Sequence, residues 1–445
     1  FLELREMFND RICALSTPRG ISATAVIRCS GQGTVESLMN LLPCTSLLQH
    51  RRAQLATFVE NDRYIDEVIV TFFKGPASYT GEDLVELSFH GNPLIIENAL
   101  KALFAVGFRM ALPGEFTKRA VLNGKFDLVR AEAINALITS KTEKALEAAI
   151  KSFRGDLSEE VISFRAKIIE LLATVEVELN YPEEIESDYS SLLESLLDLR
   201  SKIAEFIASS QNGIVISQGI KTAIVGETNV GKSTLLNALL KRDRAIVSDL
   251  PGTTRDTIEE DLNIEGVLFR VVDTAGIRQA ENEIEELGIE RTQEAIEEAE
   301  LVILLHDPHN HSDKDLEEAL KKKGKRLIVA ANKSDIRRVE KASCDVVISA
   351  RTGEGLKDLE RLMLKVTEDI TSVGNEVIIS ARQKQKLSDA MDFIGRSIDA
   401  IENSMTIDVT GTMIEQAARS LDDLLGTNVT EDLLERIFSD FCVGK

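Results

Sequence analysis

No feature of this 445-residue chain restricts its fold more than Gly226-Glu-Thr-Asn-Val-Gly231-Lys232-Ser233, which has the spacing GxxxxGK[ST]. The run before it, Thr222 to Val225, is rich in β-branched residues, and the run after it, Thr234 to Leu240, reads as a helix. A strand, a glycine loop and a helix start in that order surround a phosphate with backbone N–H groups and set the positive end of the helix behind them. Asn229, Val230, Gly231, Lys232, Ser233 and Thr234 are therefore predicted to bind a nucleoside triphosphate. Lys232 supplies a point charge to the β and γ phosphates, and the Ser233 hydroxyl is a Mg²⁺ ligand.

Two further motifs follow in order. Asp273-Thr274-Ala275-Gly276 ends one β-rich run as DxxG, and Asn332-Lys333-Ser334-Asp335 ends another as NKxD. Short β-rich runs (Phe269 to Val272, Leu301 to Leu305, Leu327 to Ala330, Val346 to Ile348) alternate with amphipathic helical stretches. That alternation predicts a doubly wound parallel sheet, with all three motifs at the carboxyl ends of its strands. A carboxylate at Asp335 accepts from both the N1–H and the 2-amino group of guanine, a pattern adenine lacks, so the nucleotide is GTP. Ser349-Ala350-Arg351 is placed to back the guanine O6 with a main-chain N–H. Ile277, after DxxG, cannot orient water as a Gln does in Ras-like enzymes, so the attacking water needs another group. Candidates are the carboxylates Glu281, Glu283, Glu285, Glu286 and Glu290, with Arg255 and Arg278 as possible arginine fingers.

The length suits about three domains. From Ile12 to about Leu122, strand-like runs (Ala25 to Arg28, Glu67 to Phe73, Asp83 to Phe89) alternate with turns, a mixed α/β pattern. Helical spacing begins at Leu128, is interrupted at the polar Ser209 to Gly213, and resumes after a second break near Ser372 to Asn375. The predicted organisation is an N-terminal α/β domain (7–122), a helical domain in two parts (123–215 and 373–445), and an inserted nucleotide domain (216–372). Five scattered Cys support neither a disulfide framework nor a zinc ribbon, which points to a reducing cytoplasm. The net charge of −22 opposes tight nucleic-acid binding by the bare chain, so RNA work calls for a basic partner. No apolar run reaches the length of a membrane span, and no signal-peptide pattern stands at the start. Phe1 to Glu6 reads as a vector remnant ahead of Met7.

Gly252-Thr253-Thr254-Arg255-Asp256, DTAG followed by an apolar residue and Arg278, Leu287-Gly288-Ile289-Glu290-Arg291, and the terminal Phe441-Cys442-Val443-Gly444-Lys445 resemble the MnmE (TrmE) family of tRNA-modification GTPases. Ser16-Thr17-Pro18, Ser78 to Asp83 and Pro113-Gly114-Glu115-Phe116 carry the resemblance into the N-terminal domain. It implies a folate-binding N-terminal domain, a helical domain interrupted by a Ras-like G domain, and a homodimer joined through the N-terminal domains. It also implies an MnmG (GidA) partner that brings FAD and NADH, and through which tRNA is mainly engaged. Together the two install an aminomethyl-type group on carbon 5 of the wobble uridine. The one-carbon source is a tetrahydrofolate, in the 5-formyl or 5,10-methylene form.

Residue by residue, the resemblance makes Asn229 a K⁺ ligand, joined by Ser248, Leu250 and Thr253, and makes Thr254 a second Mg²⁺ ligand. Ser248, Thr253 and Thr254 thereby enter the GTP site, and Glu285 becomes the residue that orients water. Arg28, Glu86, Lys125 and Lys445 match folate positions, and Cys442 falls at a possible one-carbon site. Glu86 is plausible on its own terms. It shares a strand face with Leu84 and Ser88, opposite Val85, Leu87 and Phe89, and a pterin offers the same kind of edge as guanine. The sequence departs from the family pattern at His90 to Pro93 and at Arg11. Two other readings are an Era-like RNA or ribosome assembly factor without covalent chemistry, and a GTP switch whose N-terminal domain only dimerises.

Overall fold

The alternation of apolar and polar residues in the N-terminal strands builds a sheet that buries one face. The computed structural model describes residues 10–43, 48–180, 189–227, 229–243, 259–272, 294–307, 314–336, 344–371, 380–427, 430–439 and 441–444. β1 (Arg11–Leu15), β2 (Ser22–Ser30), β3 (Ala53–Glu60), β4 (Arg63–Phe73), β5 (Leu84–Gly91) and β6 (Phe108–Met110) form one sheet in the order β3-β4-β5-β2-β1-β6. Neighbours are antiparallel except β1 and β6. Along β5, Val85, Leu87 and Phe89 are buried, whereas Glu86 and Ser88 lie on the other, less covered face. The buried face packs Ile27, Phe58, Val70 and Leu87 with α1 (Thr34–Met39) and α2 (Pro93–Ala105). Asn92 caps α2, its side chain accepting the Leu94 N–H at 2.9 Å, with Pro93 in the first turn.

Cys13 and Cys29 face each other across β1 and β2 within this core, where burial pushes the Cys13 thiol up to about 12 and Cys29 well above its ordinary value. Both are packing residues of the core. Cys44 lies outside the described residues.

α3 (Glu115–Leu122) leads into long helices: α4 (Leu128–Thr139), α5 (Glu143–Arg154), α6 (Asp156–Asn180) and α7 (Ser190–Gln218). The predicted break at Ser209 to Gly213 is not one, because α7 runs through it. The hydroxyls of Ser209 and Ser210 both donate back to the Phe206 carbonyl, at 2.9 and 2.7 Å, so their polarity is absorbed by the helix itself.

The nucleotide domain has the second sheet: β7 (Ile220–Val225), β8 (Glu259–Ile264), β9 (Val267–Val272), β10 (Leu301–His306), β11 (Arg326–Ala331) and β12 (Val346–Val347), in the order β12-β11-β10-β7-β9-β8. Five strands are parallel. The sixth, β8, is an edge strand antiparallel to β9, added to the expected doubly wound parallel sheet. Its sequence, Glu-Glu-Asp-Leu-Asn-Ile, is too polar to read as a buried parallel strand, but an edge strand needs only one apolar face. α8 (Lys232–Asp243), α9 (Lys314–Lys322) and α10 (Leu356–Val366) cover the sheet, with α8 and α10 supplying Leu235, Leu239, Leu359 and Met363 to one core.

Contacts divide the chain into two units. One takes Phe1–Asn135, Leu157–Arg200 and Gln385–Lys445, the other Ala136–Asp156 and Ser201–Lys384. In the first, α11 (Ala381–Glu402) and α12 (Ile407–Leu425) precede α13 (Glu431–Phe438), which packs Leu434 and Phe438, with Phe441 beyond it, against Val121, Leu122 and Leu128. The last turn of the chain is thereby carried to the N-terminal sheet.

Candidate functional sites

In the nucleotide domain the loop after β7 enters α8 directly, with Val230 buried and Asn229, Ser233 and Thr234 exposed. Asn229 adopts φ 65, a left-handed conformation that asparagine tolerates better than most residues. The Lys232 ammonium reaches back over the loop to the carbonyls of Gly226 and Glu227, at 2.8 and 2.7 Å. Gly231 has no alternative, since a Cβ there would stand 2.4 Å from the Asn332 amide nitrogen.

That contact shows what Asn332 does. Its side-chain nitrogen donates to the Val230 carbonyl at 2.8 Å and its oxygen accepts the Ala350 N–H at 2.9 Å, so one buried amide ties the phosphate loop to the loop after β12. Asp335 is exposed and is oriented by the Ser349 hydroxyl, 2.8 Å away, which in turn accepts the Thr352 N–H. The Lys333 ammonium pairs with Asp307 at 3.3 Å. Asn229 to Thr234, Asn332, Lys333, Asp335, Ser349, Ala350 and Arg351 thus stand on the loops beyond β7, β11 and β12, at one end of the sheet. The Ala350 N–H, a candidate for the guanine O6, is directed at Asn332 here. Ser248, Leu250, Thr253, Thr254, Asp273, Thr274, Ala275, Gly276 and Glu285 lie outside the described residues, as do Arg255 and Arg278.

A second site lies on the open face of the N-terminal sheet. Arg28 and Glu86 are cross-strand partners, and the guanidinium donates to one Glu86 oxygen from Nε at 3.1 Å and from Nη2 at 2.8 Å. The Tyr79 and Phe116 rings lie 5.5 and 5.7 Å from the Arg28 guanidinium carbon. Nη1 donates to the Gly444 carbonyl at 3.2 Å, and the Ser16 hydroxyl donates to the same oxygen at 3.3 Å. The tail is held in register: Val443 bridges to Pro113, and the Cys442 carbonyl accepts the Gly114 N–H at 3.3 Å. Position 444 requires glycine, because φ is 94 and a Cβ would meet the Leu15 carbonyl oxygen at 2.6 Å. Lys125 donates to the Pro76 carbonyl at 2.8 Å, on the loop that carries Tyr79. Lys445 itself lies outside the described residues.

Beside this site is a charge network that sequence reasoning did not single out. Arg119, 1% exposed, bonds Asp10 at 2.6 Å, Glu115 at 3.0 Å and Glu82 at 3.3 Å. Arg109 grips both oxygens of Glu115, at 2.8 and 2.6 Å, and also pairs with Asp10. Burial opposes the charge on Glu115, but the Arg109 and Leu112 hydrogen bonds and the Arg119 charge outweigh it and hold its carboxyl below the usual range. At Glu82 burial wins, and the carboxyl is held above the usual range despite Arg119 and the Ser30 hydroxyl. The network fastens the start of α3, which carries Phe116, to the loop that carries Tyr79. No spacing marks Glu82 or Glu115 in advance, since a glutamate in a loop or in the first turn of a helix ordinarily faces water.

The chain was compared with known proteins. Residues 11–125 match the family described as GTP-binding protein TrmE N-terminus, and residues 128–442 match the MnmE helical domain family. It is 42% identical over 451 residues to the tRNA modification GTPase MnmE of Thermotoga sp. (strain RQ2), covering 98% of this chain and all of that one. It is 39% identical to the protein of the same name from Aquifex aeolicus (strain VF5), with the same coverage of each.

Proposed function

The chain belongs to the MnmE family of tRNA modification GTPases, and from that membership we propose that it is a K⁺-stimulated GTPase that modifies carbon 5 of the wobble uridine of certain tRNAs. It acts in the cytoplasm as a homodimer, with an MnmG (GidA)-type flavoprotein that carries FAD and NADH and engages most of the tRNA. A reduced folate donates the carbon. The observation that carries this reading is the tail, because Gly444 and Arg28, 416 residues apart, share a hydrogen bond beside Glu86.

In the nucleotide site Asp335 reads the guanine edge. The N–H groups at the start of α8 and the Lys232 ammonium face the phosphates. Exposed Ser233, with Thr254, provides hard oxygen ligands that suit Mg²⁺, and the Asn229 side chain with the main-chain oxygens of Ser248, Leu250 and Thr253 suits the larger K⁺. These cations supply positive charge where none is placed by an arginine. Glu285 orients the water that Ile277 cannot. On the N-terminal sheet, Glu86 accepts from the 2-amino edge of a pterin, Arg28 holds Glu86 in place, and the tail that carries Cys442 sets Gly444 against Arg28.

Mass spectrometry of wobble nucleosides from cells lacking the protein, complemented with wild type or Glu86→Ala, tests the proposal. The modified uridine should be lost without the protein and restored by wild type alone. Unchanged nucleosides in the deletion strain refute it. Equal GTP turnover in K⁺ and Na⁺ at one ionic strength refutes the cation assignment.

A further inference from the structure

The loop that carries Tyr79 meets two cations at its other end. Lys125 Nζ donates to the Pro76 carbonyl at 2.8 Å, and Arg51 Nη2 donates to the neighbouring Ala77 carbonyl at 3.3 Å. Pro76 to Tyr79 spans at most about 11 Å, and the Tyr79 ring adjoins Arg28, so the cations share a rim with the Arg28–Glu86 pair. Arg51, Lys125 and Lys74, which directly precedes the loop, are all exposed. Arg51 sits at φ 57, a conformation few non-glycine residues adopt, and its N–H is fixed on the Phe72 carbonyl at 2.7 Å. Of the acidic groups along this stretch, Glu82 turns to Arg119 and Glu86 to Arg28, while Asp83 stays on the loop with one oxygen held by the Gly75 N–H at 2.9 Å, so one carboxylate stands among three cations. On a chain of net charge −22, such a patch is a local attractor for an anion.

We propose that Arg51, Lys74 and Lys125 form a subsite for the anionic tail of the folate, and that the substrate of this site is a polyglutamylated tetrahydrofolate. This rests on the folate reading above. Arg28 and Glu86 occupy the pterin end. The glutamyl tail ends in two carboxylates, and every γ-linked glutamate adds one more, farther from the pterin. A carboxylate displaces the Pro76 and Ala77 carbonyls from these cations readily, because a hydrogen bond between two charged groups is stronger than one to a neutral carbonyl. An RNA phosphate carries similar charge, but the cations sit on the same loop as the ring beside Arg28, which favours a ligand that runs from one end of that loop to the other.

The test is calorimetric titration of the full-length chain with 5-formyl-tetrahydrofolate as monoglutamate and as triglutamate, for wild type, Arg51→Gln and Lys74→Gln. Wild type should bind the triglutamate roughly five- to tenfold more tightly, the gain of two or three exposed charge pairs, and the preference should shrink as salt rises. Each variant should shrink the preference, losing more of its triglutamate than of its monoglutamate affinity. Equal affinities in wild type overturn the tail subsite while leaving the folate site intact, whereas failure of either folate to bind overturns the folate reading and the subsite with it. If Arg51→Gln weakens tRNA binding but keeps the tail preference, the patch is an RNA contact and the proposal is wrong.

Discussion

Asn332→Ala separates two roles that an NKxD motif ordinarily blends. The substitution leaves the Val230 carbonyl and the Ala350 N–H without the amide that bonds them at 2.8 and 2.9 Å, in residues only 3% and 5% exposed. Each buried polar group left unpaired costs about 1–3 kcal/mol, so the two together cost about 2–6 kcal/mol. Val230 belongs to the phosphate loop and Ala350 to the loop beside Asp335, so this loss falls on the arrangement that grips the nucleotide. Even its lower bound weakens binding about 30-fold. Asp335 differs, being exposed and bonded by Ser349 at 2.8 Å, so Asp335→Asn should change which base is read and leave the loops joined. Displacement of a fluorescent nucleotide should show Asp335→Asn preferring xanthosine over guanosine diphosphate. Asn332→Ala should weaken guanosine diphosphate in the wild-type background and also xanthosine diphosphate in the Asp335→Asn background, because the amide acts on the phosphate loop through Val230 whichever base is read. A guanosine diphosphate affinity within about threefold of wild type in Asn332→Ala, a change of under 1 kcal/mol, refutes the strut.

Three further outcomes are expected. Arg119→Met strips a buried guanidinium from three carboxylates and should destabilise the N-terminal sheet by about 3–5 kcal/mol, read as faster hydrogen exchange in β2, β5 and α3 with little change in β10 and β11. Asp10 and Glu115 are held below their ordinary values, burial at each being outweighed by Arg109 and Arg119, so their stabilisation is complete above the unfolded values of about 3.9 and 4.3 and is lost as pH falls through the lower folded ones. Glu82, raised by burial, acts with the opposite sign: folding gains as pH falls through its folded value towards about 4.3. The unfolding temperature of wild type should therefore rise over that interval while that of Glu82→Gln stays flat, and equal slopes would remove Glu82 from the account. Gly444→Ala, which cannot be accommodated beside the Leu15 carbonyl, should weaken folate binding and leave GTP turnover of the isolated chain within about twofold, since the affected backbone belongs to the other unit.

The two candidate sites were legible to different depths for a physical reason. A phosphate is bound largely by backbone, so the motif that shapes the loop is contiguous, and Gly226 to Ser233 could be placed between a strand and a helix from sequence alone. Asn332 was legible as a member of NKxD, but not as a strut, because its partners Val230 and Ala350 are distant in sequence and are reached through backbone atoms that carry no residue signature. β1, β3, β6 and β8 were not read as strands, β1 and β8 for a related reason. β1 is short, and its pairing with β2 on one side and β6 on the other decides its state. β8 is a polar edge strand whose apolar face is two residues, Leu262 and Ile264. In α6 the apolar residues lie on more than one side: Ile162 and Ile169 are exposed, and the buried stripe is Val161, Phe164, Ile168, Leu171 and Val175. Periodicity located the helix but not its inner face.

The N-terminal site reverses the usual relation between a charged pair and its surroundings. Arg28–Glu86 alone is a half-buried cross-strand pair, 16% and 30% exposed, of a kind that contributes little to stability. What sets it apart is that its neighbours have supports besides the pair: Phe116 by the start of α3, Tyr79 by the loop that Glu82 anchors, and Gly444 by Ser16, with Val443 and Cys442 before it on Pro113 and Gly114. Arg119 stands behind the first two, since it bonds Glu115 on α3 and Glu82 on the loop with one guanidinium. A network that joins three carboxylates to two arginines is a poor way to gain stability compared with apolar packing, because each charge must first be taken out of water. It is a good way to fix the distance between two backbone segments, because one guanidinium bonds a carboxylate on each of them. The segments it fixes are the two that carry the rings beside Arg28. The buried charges therefore set how far apart the two rings stand, on either side of the half-buried pair.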